Sequence, residues 1–360
     1  MRAESIYMGR KIEMGSEYWS MPTCSTRIDC TEDRTRFVLS GRTALQLAAE
    51  DLIKERQISS ICLPAYCCDS MVFPFQKAGL KLRFYNVLPF SGGIQRVLPE
   101  KHGCDAVLFL DYFGYTQKET AALAKREHDR GTAVILDRVQ SLYSPSDTIC
   151  YADYSITSWR KWFFSCTGAA KKHHGKWVVG PYRKANEQYV FLRNQAAEKK
   201  AAYMDRGTGN KETFLNAFAE AEKVLDADFS DYAADRESRD ALRNLDVSFL
   251  KQRRRENAAL IYEALLTMGD QRIRPLFPQL GPEDTPLFVP VMVEPEVRAD
   301  LRCFLIRNQV YCPVHWPRVQ TGGGEALYDA ELSLLCDQRY TTEDIQWEMY
   351  LIKEFFAHHA

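Results

Sequence analysis

The sequence predicts an α/β protein with a mainly parallel sheet flanked by helices, followed by a smaller C-terminal α/β domain. Short apolar runs bounded by turn residues alternate with helical patterns as far as residue 182. Strands that are apolar along their whole length are typical of parallel sheets covered on both faces. After about residue 270 the pattern changes to short strands and two helices. We therefore expect an N-terminal arm at 1–35, a large domain at 36–245 and a small domain at 246–360.

The elements follow from these patterns in chain order. A helix is predicted after Ser40 (TALQLAAEDLIKER), and two more come from SMVFPFQKAG and ETAALAKREHDRG. Six apolar runs are predicted strands: ISSICLPAY, KLRFYNV, DAVLFLDYFG, TAVILDR, YADYSITS and GKWVVG. Residues 183–270 are mainly helical in pattern. The C-terminal part offers the strands PLFVPVMV and VYCPVHW, a helix from Glu296 to Asn308 and a final helix with Thr342 as its cap.

Composition and charge exclude several classes of protein. The 360 residues are 46% hydrophobic and carry a net charge of −1, so nothing favours binding to nucleic acid or to an anionic membrane. There is no membrane-spanning apolar run and no secretory leader, which predicts a cytoplasmic protein. The 11 cysteines include no CxxC pair, which favours a reducing compartment over disulfides or a metal site.

Two polar segments lie where an α/β sheet binds ligands. The turn Gly41-Arg42-Thr43 precedes a helix, where backbone N–H groups and the helix dipole can hold a phosphate. Asp137 and Gln140 follow the strand TAVILD, and a carboxylate there can pair with the ring nitrogen of pyridoxal phosphate (PLP). Each segment taken alone also fits a helix cap or a turn.

Lys161 follows the strand YADYSITS and is surrounded in sequence by Trp159, Trp162, Phe163 and Phe164. Partial desolvation by these rings would lower the pKa of the lysine and free its amine as a nucleophile. The alternative is an ordinary loop lysine whose ammonium group lies in water.

The order of phosphate turn, aspartate and lysine resembles the DegT/StrS family of sugar aminotransferases over about residues 35–355. The segments that carry the resemblance are SGRTAL, ICLPAYCCDS, LFLDYFG, ILDRVQS, SITSWRKWFFSCTGAA, RRRENAALIYEAL, VYCPVHWP and LSLLCDQRYTTEDI. The resemblance implies the fold type I of PLP-dependent transferases. It also implies a homodimer that transfers an amino group, with glutamate as donor, to a nucleotide-linked keto sugar for polysaccharide or glycoconjugate biosynthesis.

The resemblance also assigns roles to individual residues. Lys161 would form the Schiff base with PLP, Asp137 would pair with the pyridine nitrogen, and Gln140 would contact the ring hydroxyl. The phosphate would be held by Gly41, Arg42, Thr43 and Ser158. The residue stacked on the ring would be Tyr66 or Cys68, and His315 would contact substrate.

Some segments depart from the family pattern. Only two residues separate Ser158 from Lys161, Thr167-Gly168-Ala169-Ala170 replaces a glycine-rich segment, and the Asn-Tyr-Arg segment that reaches the partner's cofactor is missing around residues 238–246. Two alternatives therefore stay open. One is a PLP enzyme that acts on a non-sugar ketone or amine, and the other is a non-catalytic regulatory relative.

Overall fold

The computed structural model describes residues 13–20, 34–319 and 323–358. Of the predicted N-terminal arm, residues 1–12 and 21–33 lie outside this range. The strands, in chain order, are β1 Met14–Gly15, β2 Thr35–Val38, β3 Ser60–Pro64, β4 Lys81–Phe90, β5 Gly93–Val97, β6 Ala106–Leu110, β7 Ala133–Asp137, β8 Tyr154–Ser158, β9 Gly168–Lys172, β10 Ile273–Pro275, β11 Val289–Val293, β12 Val310–Tyr311 and β13 Glu331–Leu334.

The helices, numbered in the same way, are α1 Gly41–Arg56, α2 Asp69–Lys77, α3 Lys118–Asp129, α4 Glu187–Arg206, α5 Lys211–Ala227, α6 Arg236–Arg243, α7 Val247–Met268, α8 Pro295–Arg307, α9 Glu325–Ala330 and α10 Thr342–His358. None of the helices in the described ranges combines the length and apolarity needed to cross a membrane.

The main sheet has eight strands in the order β2-β9-β8-β7-β6-β3-β4-β5. Its five central strands, β8-β7-β6-β3-β4, are parallel to one another. At the edges, β5 pairs antiparallel with β4, β9 pairs antiparallel with β8, and β2 pairs antiparallel with β9. Strands β6 and β7 are buried at every residue, because helices cover both faces of the sheet. The predicted mainly parallel α/β fold is confirmed. Strands β7 and β8 place Asp137 and Ser158 at the same carboxyl edge.

A second, antiparallel sheet forms in the C-terminal part in the order β10-β11-β13. Its apolar side chains pack with α7, α8 and α10 in a separate core that includes Val291, Leu305, Leu332 and Ile352. The short strand β1 pairs with β12 and adds Met14 to this core, so part of the predicted irregular arm is ordered as a strand.

Two local predictions were wrong. The run GKWVVG is a loop, because the carboxylate of Asp51 accepts the backbone N–H groups of Val178 and Val179 at 2.7 Å and so satisfies donors that a sheet would otherwise use. The final helix is capped by Thr341 instead of Thr342. The Oγ1 of Thr341 accepts the N–H of Asp344 at 3.4 Å, and the Asp344 carboxylate accepts the N–H of Thr341 at 2.9 Å.

Candidate active site

A cleft opens at the carboxyl edge of the main sheet. Its walls come from the start of α1, the ends of β7 and β8, the start of α2 and the segment after β12. Among the residues that line it are seven of the predicted site residues together with Lys161: Gly41, Arg42, Cys68, Asp137, Gln140, Ser158 and His315. The sequence places these residues far apart, and the topology of the sheet brings them together.

Gly41 and Ser158 form one end of the cleft. A Cβ atom built on Gly41 would lie 3.3 Å from the Cβ of Ser158 and 3.8 Å from its Oγ. Gly41 is the first residue of α1, so its N–H lies at the positive end of the helix dipole, beside the Ser158 hydroxyl. Ser40, which sequence reasoning did not select, also lines the cleft, and its Oγ accepts the N–H of Thr43 at 3.2 Å. This end of the cleft suits an anionic group.

The side chains of Thr43 and Arg42 make contacts that the sequence did not predict. The hydroxyl of Thr43 donates to the backbone oxygen of Phe229 at 2.7 Å, and Thr43 does not line the cleft. Its contact with a phosphate stays a prediction. Arg42 does line the cleft, but its guanidinium is paired with Asp226 and lies 3.7 Å from Glu222.

Asp137 and Gln140 lie deeper in the cleft. Burial, and then the nearby charge of Asp111, raise the pKa of Asp137 to about 7, against a hydrogen bond from the N–H of Val139 at 2.8 Å. A cationic group bound next to Asp137 would restore its charged form. The Oε1 of Gln140 accepts the N–H of Phe113 at 3.0 Å, so its Nε2 is the atom left to donate to a ligand.

Lys161 ends a single turn of 3-10 helix, residues Trp159–Lys161, which follows β8 directly. Its side chain is exposed and lines the cleft. Desolvation, followed by the charge of Arg160, lowers the pKa of Lys161, while Glu17 and Cys68 act in the opposite direction. Trp162 fixes the turn, since its Nε1 donates to the backbone oxygen of Val139 at 2.9 Å. The predicted lowering of the Lys161 pKa matches this direction, whereas the predicted desolvation by neighbouring rings stays a prediction, since the side chain is exposed in the cleft.

Of the two residues predicted to stack on a bound ring, only Cys68 lines the cleft. Tyr66 is fully buried, and its ring packs 5.0 to 5.6 Å from the rings of Tyr328, Trp316 and Tyr112. Tyr66 therefore supports the wall of the cleft from behind. Within the described residues, Trp316 is the largest aromatic side chain that lines the cleft, and sequence reasoning did not assign it.

His315 lies in the cleft wall contributed by the C-terminal part of the chain. Its Nδ1 is 2.9 Å from the Oγ of Ser333, which in turn donates to Glu331 at 2.5 Å. The rings of Phe113 and Phe288 pack against the imidazole at 5.3 and 5.2 Å. These contacts fix the orientation of a side chain that was predicted to contact substrate.

A charged cluster beside Lys161 was not predicted from the sequence. Arg160 donates to Glu222 at 2.5 Å, and Arg193 is paired with Glu17 at 3.0 Å. Burial opposes the charge of Glu17, but Arg193, Arg160 and Lys161 together bring its pKa down to about 2. Glu17 and Glu222 come from segments distant in sequence, so nothing in the local pattern could have identified them.

Neither the protein-family models nor the curated proteins include a match to the sequence. Solved structures are similar in fold. The aminotransferase TlmJ from Streptoalloteichus hindustanus is 17% identical, with 90% of this chain and 86% of that chain covered and a TM-score of 0.60. Helicobacter pylori PseC, an aminotransferase involved in the biosynthesis of pseudoaminic acid, is 13% identical, with 97% and 100% covered and a TM-score of 0.63.

A third similar structure is NtdA from Bacillus subtilis with the bound cofactor PMP. It is 15% identical, with 89% of this chain and 72% of that chain covered and a TM-score of 0.58. These identities are low, but the aligned regions span most of each chain. The chain therefore has the fold of these aminotransferases, as the resemblance in its sequence implied.

Proposed function

We propose that this chain is a PLP-dependent aminotransferase that transfers an amino group, with glutamate as donor, to the keto group of a nucleotide-linked sugar. The observation that carries the proposal is the meeting of Lys161, Asp137, Gln140, Ser158 and Gly41 in one cleft. A lysine amine with a lowered pKa, a buried carboxylate and a turn that can bind an anion are the groups that this cofactor requires. The similar fold of NtdA, which binds the cofactor PMP, adds support.

The residues in the cleft fit the cofactor part by part. Asp137 is buried with a pKa raised to about 7, so a protonated ring nitrogen would supply the positive charge that it lacks. Gly41 and Ser158 offer an N–H and a hydroxyl to a phosphate. Cys68 and Val139 also line the cleft, and their small side chains leave room for a flat ring. When bound, PLP supplies an electron sink for charge on the substrate carbon.

Lys161 carries the proton chemistry in this proposal. Its lowered pKa increases the fraction of neutral amine, which can attack a carbonyl carbon and later accept or return a proton. Gln140 donates from Nε2 and orients the ring, since Phe113 holds its other amide atom. His315 and Trp316 form the wall on the C-terminal side, where a sugar or a small amine would lie.

We also infer a homodimer that works in the cytoplasm and serves polysaccharide or glycoconjugate synthesis. These inferences rest on the resemblance in sequence and on the composition. A similar fold in the sugar aminotransferase CalS13 from Micromonospora echinospora favours a sugar substrate; it is 15% identical, with 89% of this chain and 87% of that chain covered and a TM-score of 0.59. A non-sugar ketone or amine is the second candidate, because the segment around residues 238–246 departs from the family pattern.

Covalent trapping tests the central role of Lys161. The protein is incubated with PLP and reduced with borohydride, and its peptides are analysed by mass spectrometry. We expect the added cofactor mass on Lys161. In Lys161→Ala, glutamate-dependent amino transfer should fall by at least about a thousand-fold. The exposed Lys54 provides a matched control, and Lys54→Ala should retain both the label and the activity. A label and activity that persist in Lys161→Ala would contradict the proposal.

The substrate class is tested by running the second half of the proposed reaction in reverse, from the aminated product. The PLP-loaded protein is mixed with nucleotide-linked amino sugars and, separately, with small primary amines, and the absorbance of the bound cofactor is followed. A change with an amino sugar is the expected result. A change with small amines alone would replace the sugar by the second candidate, and no change with any amine, glutamate included, would favour a non-catalytic relative.

A further inference from the structure

A second cluster of reactive side chains lies away from the cleft. Cys62 is in β3, while His102 and Cys104 come just before β6, which pairs with β3 in parallel. The two sulfur atoms and one imidazole nitrogen all lie within 4.8 Å of one another. Cys62 and His102 are buried, and Cys104 is half-buried. Forty-one residues separate the two cysteines in the sequence, so the search for CxxC pairs could not detect this cluster.

The local backbone directs His102 and Cys104 to the same point. Gly103 between them has a φ of +64°, a backbone conformation that residues other than glycine rarely adopt. Arg83 of β4 donates to the backbone oxygen of His102 at 2.8 Å, and so holds the turn against the sheet.

Glu127 of α3 orients the imidazole. It is buried, and its Oε2 lies 2.9 Å from the Nε2 of His102. A ring that donates from Nε2 to this carboxylate carries its lone pair on Nδ1, which here accepts the N–H of Cys104 at 3.2 Å. A metal ion bound at Nδ1 would replace this single backbone hydrogen bond. A carboxylate bonded to the far nitrogen of a histidine is the usual outer partner of a metal-bound imidazole, because it fixes the tautomer and makes the ring a stronger ligand.

We propose that Cys62, His102 and Cys104 bind a zinc ion through two sulfur atoms and the imidazole, with Glu127 as the partner of the histidine. Two thiolates and one imidazole are ligands that zinc prefers, and three protein ligands leave one tetrahedral position for water. Each thiol releases its proton to solvent as its sulfur binds the metal, so no redox step is involved. The ion would tie β3, the segment before β6 and helix α3 together.

This site is independent of the candidate active site. Cys62 lies in the middle of β3, and the other two ligands precede β6, whereas the cleft opens beyond the carboxyl ends of the strands.

Metal content tests the proposal without reference to enzymatic activity. The full-length protein is loaded with zinc, dialysed against metal-free buffer and analysed by inductively coupled plasma mass spectrometry. We expect about one zinc ion per chain, and a loss of at least about ten-fold in the double variant Cys62→Ser, Cys104→Ser. The exposed Cys150 is a matched control, and Cys150→Ser should keep the zinc. Equal zinc contents in the double variant and in the wild type would overturn the proposal.

A second measurement covers the case in which the double variant does not fold. Wild-type protein is titrated with cobalt, whose visible d–d bands are intense in a tetrahedral site with thiolate ligands and weak in an octahedral one. Intense bands that zinc then abolishes are the expected result. Weak bands would overturn the proposal. A protein that binds no metal and instead forms a Cys62–Cys104 disulfide, detected by mass spectrometry after thiol blocking, would also overturn it.

Discussion

At the scale of single residues, the charge of Asp137 has no compensating cation among its described neighbours. Its pKa is raised to about 7 by burial, and the nearby Asp111 adds to the effect. A carboxyl group with a folded-state pKa above its unfolded value of 3.8 favours folding most when protonated. That contribution is complete below the unfolded value, and it is lost as the pH rises through about 7.

The substitution Asp137→Asn should therefore stabilise the cofactor-free protein in a pH-dependent way. Asparagine keeps an oxygen that accepts the N–H of Val139, but it carries no charge. Its advantage over wild type should grow by roughly 2–3 kcal/mol between pH 5 and pH 9, measured by urea unfolding at each pH. The exposed Asp300→Asn should differ from wild type by less than about 0.5 kcal/mol at both pH values. An advantage of Asp137→Asn that does not change with pH would contradict this account.

The sequence identified site residues whose positions follow from strand ends. Asp137 and Ser158 end their strands, and parallel strands bring such ends to one edge, so their meeting could be predicted. The choice between Tyr66 and Cys68 could not, because it depends on which side chains of a short connection turn toward the core. The contact of the Thr43 hydroxyl could not be predicted either. It donates to the backbone oxygen of Phe229, which is 186 residues away in the sequence, so no local pattern indicates it.

At the scale of elements, the start of β9 packs directly against the backbone at the start of α1. Gly168 begins this strand, and a Cβ at that position would lie 2.4 Å from the carbonyl carbon and oxygen of Ser40 and 2.7 Å from the nitrogen of Gly41. These are backbone atoms, so the start of α1 would have to move to make room for a methyl group. The N–H of Gly41, which we propose to bind the cofactor phosphate, would move with it.

Gly168→Ala should therefore weaken cofactor binding and the fold together. We expect a loss of about 1–3 kcal/mol in the free energy of unfolding, with at least about ten-fold weaker binding of PLP. Urea unfolding and a fluorescence titration with PLP measure the two effects. Gly180 is a matched control, because a Cβ there would meet no atom within 4 Å. Comparable losses in Gly180→Ala would show that the close contact with Ser40 is not the cause.

Helices were predicted more accurately than the edges of the sheet. The helix after Ser40 was found because its apolar spacing is regular and its cap is local. The strand assigned to GKWVVG was wrong because the apolar residues there are held by the side chain of Asp51, a contact that bridges more than a hundred residues. Strand β9 was missed since GAAKK has neither alternation nor apolar bulk, and it forms a strand only because β2 and β8 lie on both sides.

At the scale of the whole molecule, the two hydrophobic cores suggest how the chain is divided. We propose the boundary near residue 245 that the sequence predicted, at the start of α7. Apolar residues of β3, β6 and β7 belong to one core, and those of α8 and α10 belong to the other. Strand β11 contributes to both, because Val289, Val291 and Val293 pack in the second core and Met292 packs in the first. Helix α7 contributes to the second core through Ile261, while Leu250 near its start packs with Trp162 beside the cleft. The helix thus connects the small sheet to the turn that carries Lys161.

Arg254 makes this connection through one buried guanidinium. Its Nε donates to Gln338 at 2.8 Å, its Nη1 donates to the backbone oxygens of Pro286 and Leu287, and its Nη2 donates to the hydroxyl of Tyr18 at 2.7 Å. The same guanidinium lies 4.7 Å from the centre of the Trp162 ring. Segments from the N-terminal part, the middle and the C-terminal part of the chain therefore meet at one fully buried side chain.

Lysine cannot replace this fork of donors, because its single ammonium group reaches fewer acceptors and has no planar face for the Trp162 ring. Arg254→Lys should therefore cost about 3 kcal/mol or more in the free energy of unfolding, since it leaves buried acceptors without donors. Arg253, the preceding residue in α7, is partly exposed and makes a single ion pair with Glu256 at 3.5 Å, so Arg253→Lys should change stability by less than about 0.5 kcal/mol. Urea unfolding of both variants measures the difference. Similar costs for the two arginines would mean that the buried contacts of Arg254 do not join the parts of the molecule as argued.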